Sequence, residues 1–469
     1  MIGCGRAYAP MGAPSYELAA SSGTESYHDW GKNPWVDAAT DHLSTFAADV
    51  DTASYTIARR KLDEGELPPA AAVRVEEFVN YFRYAFPAPA GDSPFSVVMD
   101  AAPSPLAPDH LVLRVGVATA ARPAAAHKPA HLVFLVDVSG SMNEPSKLPL
   151  AKQALKILTR NLGPRDTVAL VTYAGATRVV LPPTDTAHAN QILAAIDELG
   201  AGGSTAMASG LDLAYDEAMK GLAPGVTSRV IVCTDGDTNV GPTSFKQILK
   251  IVAARAEAGV TLSTIGFGMG NYKDDLMEQL ADKGNGNNFY IDSIAAAKRV
   301  FQDQLGANLE VVARDVKLQV DFDPGLVAKY RLIGYENRAI ADHDFRNDAV
   351  DAGELGPGHQ VTAMYELALT ARGQAAPAPL GVVRIRHKAP EGKAAASEHA
   401  FAMIAPPAAS FADAAPDLRF AFAVAAFADV LRGQDDAQRW SLDAIEAVAR
   451  DTASSQATTS RSSANGSPA

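Results

Sequence analysis

The chain has 469 residues, 47% hydrophobic and 20% charged. That is enough for about three packed domains at roughly 150 residues each, and too apolar for a wholly disordered chain. Lysine plus arginine number 41 against 54 for aspartate plus glutamate, a net charge of −13, which argues against nucleic acid or an anionic lipid surface as the main partner.

No run reaches the roughly 18 apolar residues of a membrane-spanning helix. The two cysteines, Cys4 and Cys233, exclude a disulfide framework and a cysteine-rich zinc site. Residues 1–40 are rich in Ala, Gly, Ser and Pro and read as a disordered extension. Within them Cys4 follows Met1-Ile2-Gly3. A small residue before a cysteine resembles the end of a bacterial lipoprotein signal, but the charged and apolar parts of that signal are missing. Two readings stay open. Either the true start lies upstream and Cys4 carries a lipid in the cell envelope or periplasm, or Met1 is the start, Cys4 is incidental and the protein is cytoplasmic.

Residues 41–128 read as two helices plus strands. TASYTIARRKLDEGELPP has start and stop signals, with Thr52 or Asp51 as cap and Gly65, Pro68 and Pro69 as the end. AAAVRVEEFVNYFRY places Val75, Phe78, Val79 and Phe82 on one helical face. SPFSVVMDAAP and DHLVLRVGVAT alternate as strands do. Asp49 and Asp51 read as helix-capping and dipole residues rather than metal ligands.

Residues 129–310 change character. HLVFLVD is a nearly continuous apolar run, as in a strand buried on both faces. Helical and strand patterns then alternate through KLPLAKQALKILTRNL, DTVALVTY, RVVL, ANQILAAIDEL, AMASGLDLAYDEAMKGL, RVIVCT, FKQILKIVAARAEAG, VTLSTIGF, KDDLMEQLADK, NFYI and IAAAKRVFQDQLG. This order predicts an α/β domain with a doubly wound, mostly parallel sheet. Cys233 in RVIVCT reads as an inert buried thiol. GFGMGN reads as an ordinary turn, because the dinucleotide spacing is not met. NYKDDLMEQLADKGNGNNFYID reads as structural, and His131 and His387 as packed strand residues.

Residues 311–450 give four strand patterns, RDVKLQVDF, HQVTAMYELALT, GVVRIRHK and EHAFAMI, and then two helices. The two strands before residue 120 have no sheet of their own, and two strands alone are marginal. Pairing them with the later set makes one β-sandwich with the α/β domain inserted into it. Residues 451–469 are Ser, Thr, Ala and Asn and read as a disordered tail.

In an open parallel sheet ligands bind at the carboxyl ends of the strands. There the first strand ends in DVSGSM, giving Asp137, Ser139 and Ser141. The loop AGGST gives Thr205, and TDGD gives Asp235 and Asp237. These are hard oxygen donors without His or Cys, which suits Mg²⁺ first and Mn²⁺ next, with Ca²⁺ behind both. Asp237 reads as a loop or capping residue rather than a ligand.

DVSGSM, the Thr of a later Gly-rich loop and the Asp of TDGD together resemble the metal-ion-dependent adhesion site of von Willebrand factor type A (VWA) domains, over about residues 129–306. The resemblance implies a metal at Asp137, Ser139, Ser141, Thr205 and Asp235, with one position open for a partner's carboxylate. FAADVDTASYTIARRKLDEGELPPAAAVRVEEFVNYFRYAFP looks like the N-terminal segment of a bacterial group of such proteins. KLQVDFDPGLVAKYRLIGYENR and DAGELGPGHQVTAMYEL look like that group's C-terminal domain of unknown function. Members of the group are typically envelope lipoproteins or periplasmic proteins.

The expected function is therefore non-enzymatic, metal-dependent capture of an acidic residue of a protein partner. The alternative is a cofactor of a separate AAA-type ATPase, since no GxxxxGK[ST] occurs here. A metal-dependent hydrolase is disfavoured. The residue two beyond Asp137 is Ser139 and not a second acid, and there is no nucleophile elbow, so no catalytic residue is assigned.

Overall fold

A computed structural model describes residues 25–48, 51–91, 93–107, 109–122, 128–203, 207–236, 242–268, 270–375, 379–390, 395–403, 406–433 and 440–464. The chain opens with strands β1 (Val36–Asp37) and β2 (Leu43–Ala47), helices α1 (Ala53–Asp63) and α2 (Val75–Tyr81), and strands β3 (Phe95–Pro103) and β4 (His110–Thr119). Gly65, at φ +80°, follows α1 and lets the chain turn. Val75, Phe78 and Val79 are buried on α2, and Phe82 lies one residue past its end.

The α/β unit follows. Its elements are β5 (Ala130–Asp137), α3 (Leu148–Asn161), β6 (Thr167–Tyr173), β7 (Arg178–Asp185), α4 (Ala189–Asp197), α5 (Met207–Lys220) and β8 (Thr227–Thr234). They continue with α6 (Pro242–Glu257), β9 (Val260–Gly266), α7 (Asp274–Lys283), β10 (Asn288–Tyr290), α8 (Ile294–Lys298) and α9 (Leu305–Leu309). The sheet order is β10-β9-β8-β5-β6-β7, parallel except for β7. Every residue of β5 is buried, because helices cover both faces. Leu132, Phe134 and Val136 pack with Leu155 and Leu158 of α3. Val133 and Leu135 face the other way, against Leu211 and Tyr215 of α5.

The chain then returns through β11 (Ala313–Phe322), β12 (Val327–Ile333), β13 (Gly353–Leu355), β14 (Gln360–Leu369), α10 (Ala371–Ala375), β15 (Gly381–Lys388) and β16 (Ser397–Ala402). It finishes with α11 (Pro416–Leu431) and α12 (Leu442–Ala464). The strands that flank the insertion share one sheet. β14 pairs with β4 from Gln360↔Ala118 to Ala368↔His110, and the order is β1-β12-β14-β4-β3. In the second sheet β11 pairs with β15 on one edge and with β13 and then β2 along the other, and β16 lies outside β15. Leu113, Val115 and Tyr365 of the first sheet meet Leu318, Val320 and Val383 of the second in one core. The expectation of a sandwich interrupted by an α/β unit thus describes the strand pairing observed.

Three local expectations are corrected. Residues 25–40 are ordered, since β1 pairs with β12 and the Asn33 amide donates to the Leu332 and Gly334 carbonyls. These partners lie about 300 positions away, where local composition cannot reveal them. Asp51 does not cap α1. The N-cap is Thr52, without a side-chain cap bond, and Asp51 accepts from the Asn288 amide at 2.7 Å and from Arg338 at 2.9 Å. The backbone after Asp451 is not an irregular tail: α12 runs on to Ala464. This stretch is mostly Ser and Thr, weak helix formers, so α12 continues there against local propensity as an extension of the stronger helical text before it.

Candidate metal centre

The site grows from the carboxyl ends of two adjacent strands. β5 ends at Asp137 and β8 at Thr234, so Asp137 and Asp235 emerge side by side, each fully buried. Asp137 is held from two sides. Its Oδ1 accepts from the Ser139 amide at 2.8 Å, and its Oδ2 from the Thr234 hydroxyl at 3.1 Å. The same Thr234 oxygen accepts from the Gly236 amide at 3.0 Å, which fixes the turn after β8. Gly236 has φ +80°, and a Cβ there would stand 2.7 Å from the Lys273 nitrogen. Only glycine fits.

The Ser139 and Ser141 hydroxyl oxygens lie 3.1 Å apart. The neighbouring loop closes over them: the Gly202 amide donates to the Val138 carbonyl at 2.7 Å, and the Gly140 amide to the Gly203 carbonyl at 3.1 Å. Burial pushes the Asp137 carboxyl above its ordinary value. The Ser139 bonds oppose this, and the Asp235 charge adds to it.

Asp137, Ser139, Ser141 and Asp235 are therefore brought to one rim. Thr205 and Asp237 lie outside the described residues, as do Cys4 and Asp49. Among the described residues no three His, Cys, Asp or Glu side chains gather into a metal-holding group. The donor set fits a hard divalent cation: two buried carboxylates with adjacent serine oxygens, all oxygen and no sulfur or imidazole. The two carboxylates could hold such an ion directly or through water, and the hydroxyls would complete its shell without further charge.

Sequence reasoning missed three residues. Lys147 donates to Asp235 Oδ2 at 3.1 Å, and the Asn271 amide donates to the same oxygen at 3.0 Å. Gly268, at φ +70°, lets the Lys147 stem pass. The GFGMGN turn, read as ordinary, thus joins the site through Gly268 and Asn271. One signal was available: Lys147 opens a helix, an end that disfavours cations. Support comes from further off. The Tyr290 hydroxyl donates to the Gly268 carbonyl at 2.6 Å and accepts from Arg60 of α1 at 2.9 Å. The Gly270 amide donates to Glu25 at 2.7 Å, and Glu25 pairs with Lys61 at 3.1 Å.

Two further readings agree with the structure. Cys233 is fully buried and its thiol is pushed up by that burial. His131 lies between Thr167 and the Glu217 carbonyl, and burial lowers its pKa.

Comparison with known proteins matches the von Willebrand factor type A domain to residues 131–303, a von Willebrand factor model to residues 21–114, and "Uncharacterized protein YfbK, C-terminal" to residues 307–464. The uncharacterized protein YfbK of Escherichia coli is 40% identical over 443 residues, which cover 89% of this chain and 76% of that protein. The magnesium-chelatase 60 kDa subunit of Rhodobacter capsulatus is 35% identical over 111 residues, 23% of this chain and 19% of that one. A solved von Willebrand factor type A protein from Catenulispora acidiphila is 18% identical, with a TM-score of 0.43, over 80% of this chain and 89% of that one. The chain belongs to the YfbK family of bacterial proteins, in which a VWA domain, a kind of domain that mediates protein interactions, is joined to a C-terminal domain of unknown function.

Proposed function

We propose that this YfbK-family protein is a non-enzymatic adhesion or assembly module that captures an acidic side chain of a protein partner through a divalent cation. Asp137, Ser139, Ser141, Thr205 and Asp235 would hold the ion, Mg²⁺ before Mn²⁺ and either before Ca²⁺. The observation that carries this reading is the meeting of two fully buried carboxylates with the serine pair, whose oxygens lie 3.1 Å apart. Hydroxyls are neutral donors, so a cation held largely by them keeps much of its charge for an incoming carboxylate. When bound, the ion supplies Lewis acidity toward that carboxylate. This chain's residues would orient the donors, with Ser139 and Thr234 holding Asp137 and with Lys147 and Asn271 holding Asp235.

The test is titration calorimetry with Mg²⁺ and Mn²⁺ on wild type and Asp137→Ala. Binding in wild type that is lost in the variant supports the reading. Binding that survives in Asp137→Ala, or is missing from wild type, removes it.

The similarity to a magnesium-chelatase subunit favours a second reading, in which the same site serves a separate AAA-type ATPase during complex assembly. Co-purification that needs both Mg²⁺ and ATP would favour it over simple adhesion. We further propose a place in the cell envelope, with Cys4 as the residue that carries a lipid. Palmitate labelling of the native gene product, lost in Cys4→Ala, tests this, and an unlabelled cytoplasmic product refutes it.

A further inference from the structure

Lys147 sits where physics disfavours a lysine. It is the N-cap residue of α3, at the positive end of the helix dipole, and its side chain is only 4% exposed. Burying an ammonium there costs free energy unless a charge partner offsets it. The partner is Asp235, at 3.1 Å, with the Asn271 side-chain oxygen at 3.3 Å and Glu144, which is largely exposed, at 3.8 Å.

The stem is held as firmly as the head. A Cβ on Gly268 would lie 2.3 Å from Lys147 Cγ and 2.5 Å from Cε, so the backbone leaves a slot that the lysine stem fills. Tyr290 and Arg60 brace the wall of that slot. An ammonium placed this way is built into the site.

We propose that Lys147 is a resident counter-cation that sets the charge of the metal centre. This rests on the metal-dependent reading above. Asp137 and Asp235 bring two negative charges and Lys147 returns one, so the cluster is a single charge negative. A divalent ion held there keeps one surplus positive charge, and a partner's carboxylate cancels it. Without Lys147 the two acids would offset more of the ion's charge and weaken its pull on the partner's carboxylate. Lys147 thus trades metal affinity for carboxylate affinity, acting on the ion through Asp235 as a positioning residue.

The experiment uses the full chain. Mn²⁺ is titrated into wild type, Lys147→Met and Asn271→Ala, and free Mn²⁺ is read by electron paramagnetic resonance. Acetate is then titrated into the loaded proteins and followed by water-proton relaxation. Lys147→Met should tighten Mn²⁺ on the order of tenfold and weaken acetate by a similar factor. Asn271→Ala removes a neutral partner and should not tighten Mn²⁺. A merely structural role for Lys147 would weaken both ligands together, so the opposite signs carry the test. If Lys147→Met does not melt cooperatively, Lys147→Gln, which keeps a donor without the charge, takes its place.

Wild type and Lys147→Met binding Mn²⁺ equally would overturn the inference and leave metal-dependent capture standing. Wild type silent while Lys147→Met binds would support the inference and overturn capture by the wild-type protein. Silence in both overturns the two together.

Discussion

Arg122 and Glu310 meet at 2.8 Å across 188 positions of sequence. One lies where the chain leaves the sandwich for the α/β unit, the other where it returns, so a single ion pair staples the two crossings. Glu310 is 3% exposed and Arg122 50%. Arg122→Ala should cost about 1 kcal/mol in urea unfolding, and a loss above about 3 kcal/mol would show that the staple also governs packing.

A second junction is largely buried. Arg74 binds Glu77, Asp274 at 2.7 Å and Glu278 at 3.2 Å, while Arg338 binds Asp51 at 2.9 Å, Glu278 at 2.8 Å and Asp282 at 3.1 Å. Two arginines from the flanking segments thus grip α7 of the inserted unit. Burial raises Glu77 to about 7; Arg74 opposes this, and the charges of Asp274, Glu278 and Glu76 add to the rise. The ordinary value is 4.5. Between these values the folded chain holds a proton that the unfolded chain has released, so stability falls as pH rises across the window. Glu77→Gln should flatten that decline in Tm against pH, and an unchanged slope would assign it to other groups.

Chelation should report on the metal centre without a partner. An ion at 100 times its Kd adds about 2.7 kcal/mol to the native state. EDTA should therefore lower the wild-type Tm by several degrees and leave Asp137→Ala unmoved. Equal shifts in both proteins would place the ion elsewhere.

Gly268→Ala tests the slot. The backbone is left-handed at φ +70°, and the new methyl meets the Lys147 stem. The expected cost is about 2–3 kcal/mol by denaturant titration. A neutral result would mean that the lysine stem can move aside.

Tyr290→Phe removes the hydroxyl that bridges Arg60 and Gly268. The expected loss is about 1 kcal/mol, with faster amide hydrogen exchange around residues 268–272. Unchanged exchange would show that the loop does not need α1.

Much of this was legible because the signals were local. HLVFLVD marks a strand covered on both faces, and the order of strands and helices fixes a parallel sheet. The spacing of Asp137, Ser139 and Ser141 places three donors in one turn. Even the interrupted sandwich follows from strands that had no neighbours in their own segment. What stayed hidden depended on distant partners. Asp51 looks like a cap until Arg338 arrives from 287 positions away. Lys147 looks like surface helix text until Asp235 and Gly268 enclose it. Residues 25–40 look disordered because β12, which orders them, is encoded some 300 positions later.

The placement of β5 has a mechanical consequence. The chain enters the inserted unit beside Ala130, at one end of this strand, and Asp137 stands at the other, seven residues and about 23 Å away. Tension between a ligand held at the rim and the sandwich behind it runs along the axis of β5. Parallel β6 and β8 flank it on both sides, so the strand that bears the pull is held straight by a hydrogen-bonded ladder along each edge. A tethered ligand would pull along a backbone that is already extended, with little slack to take up.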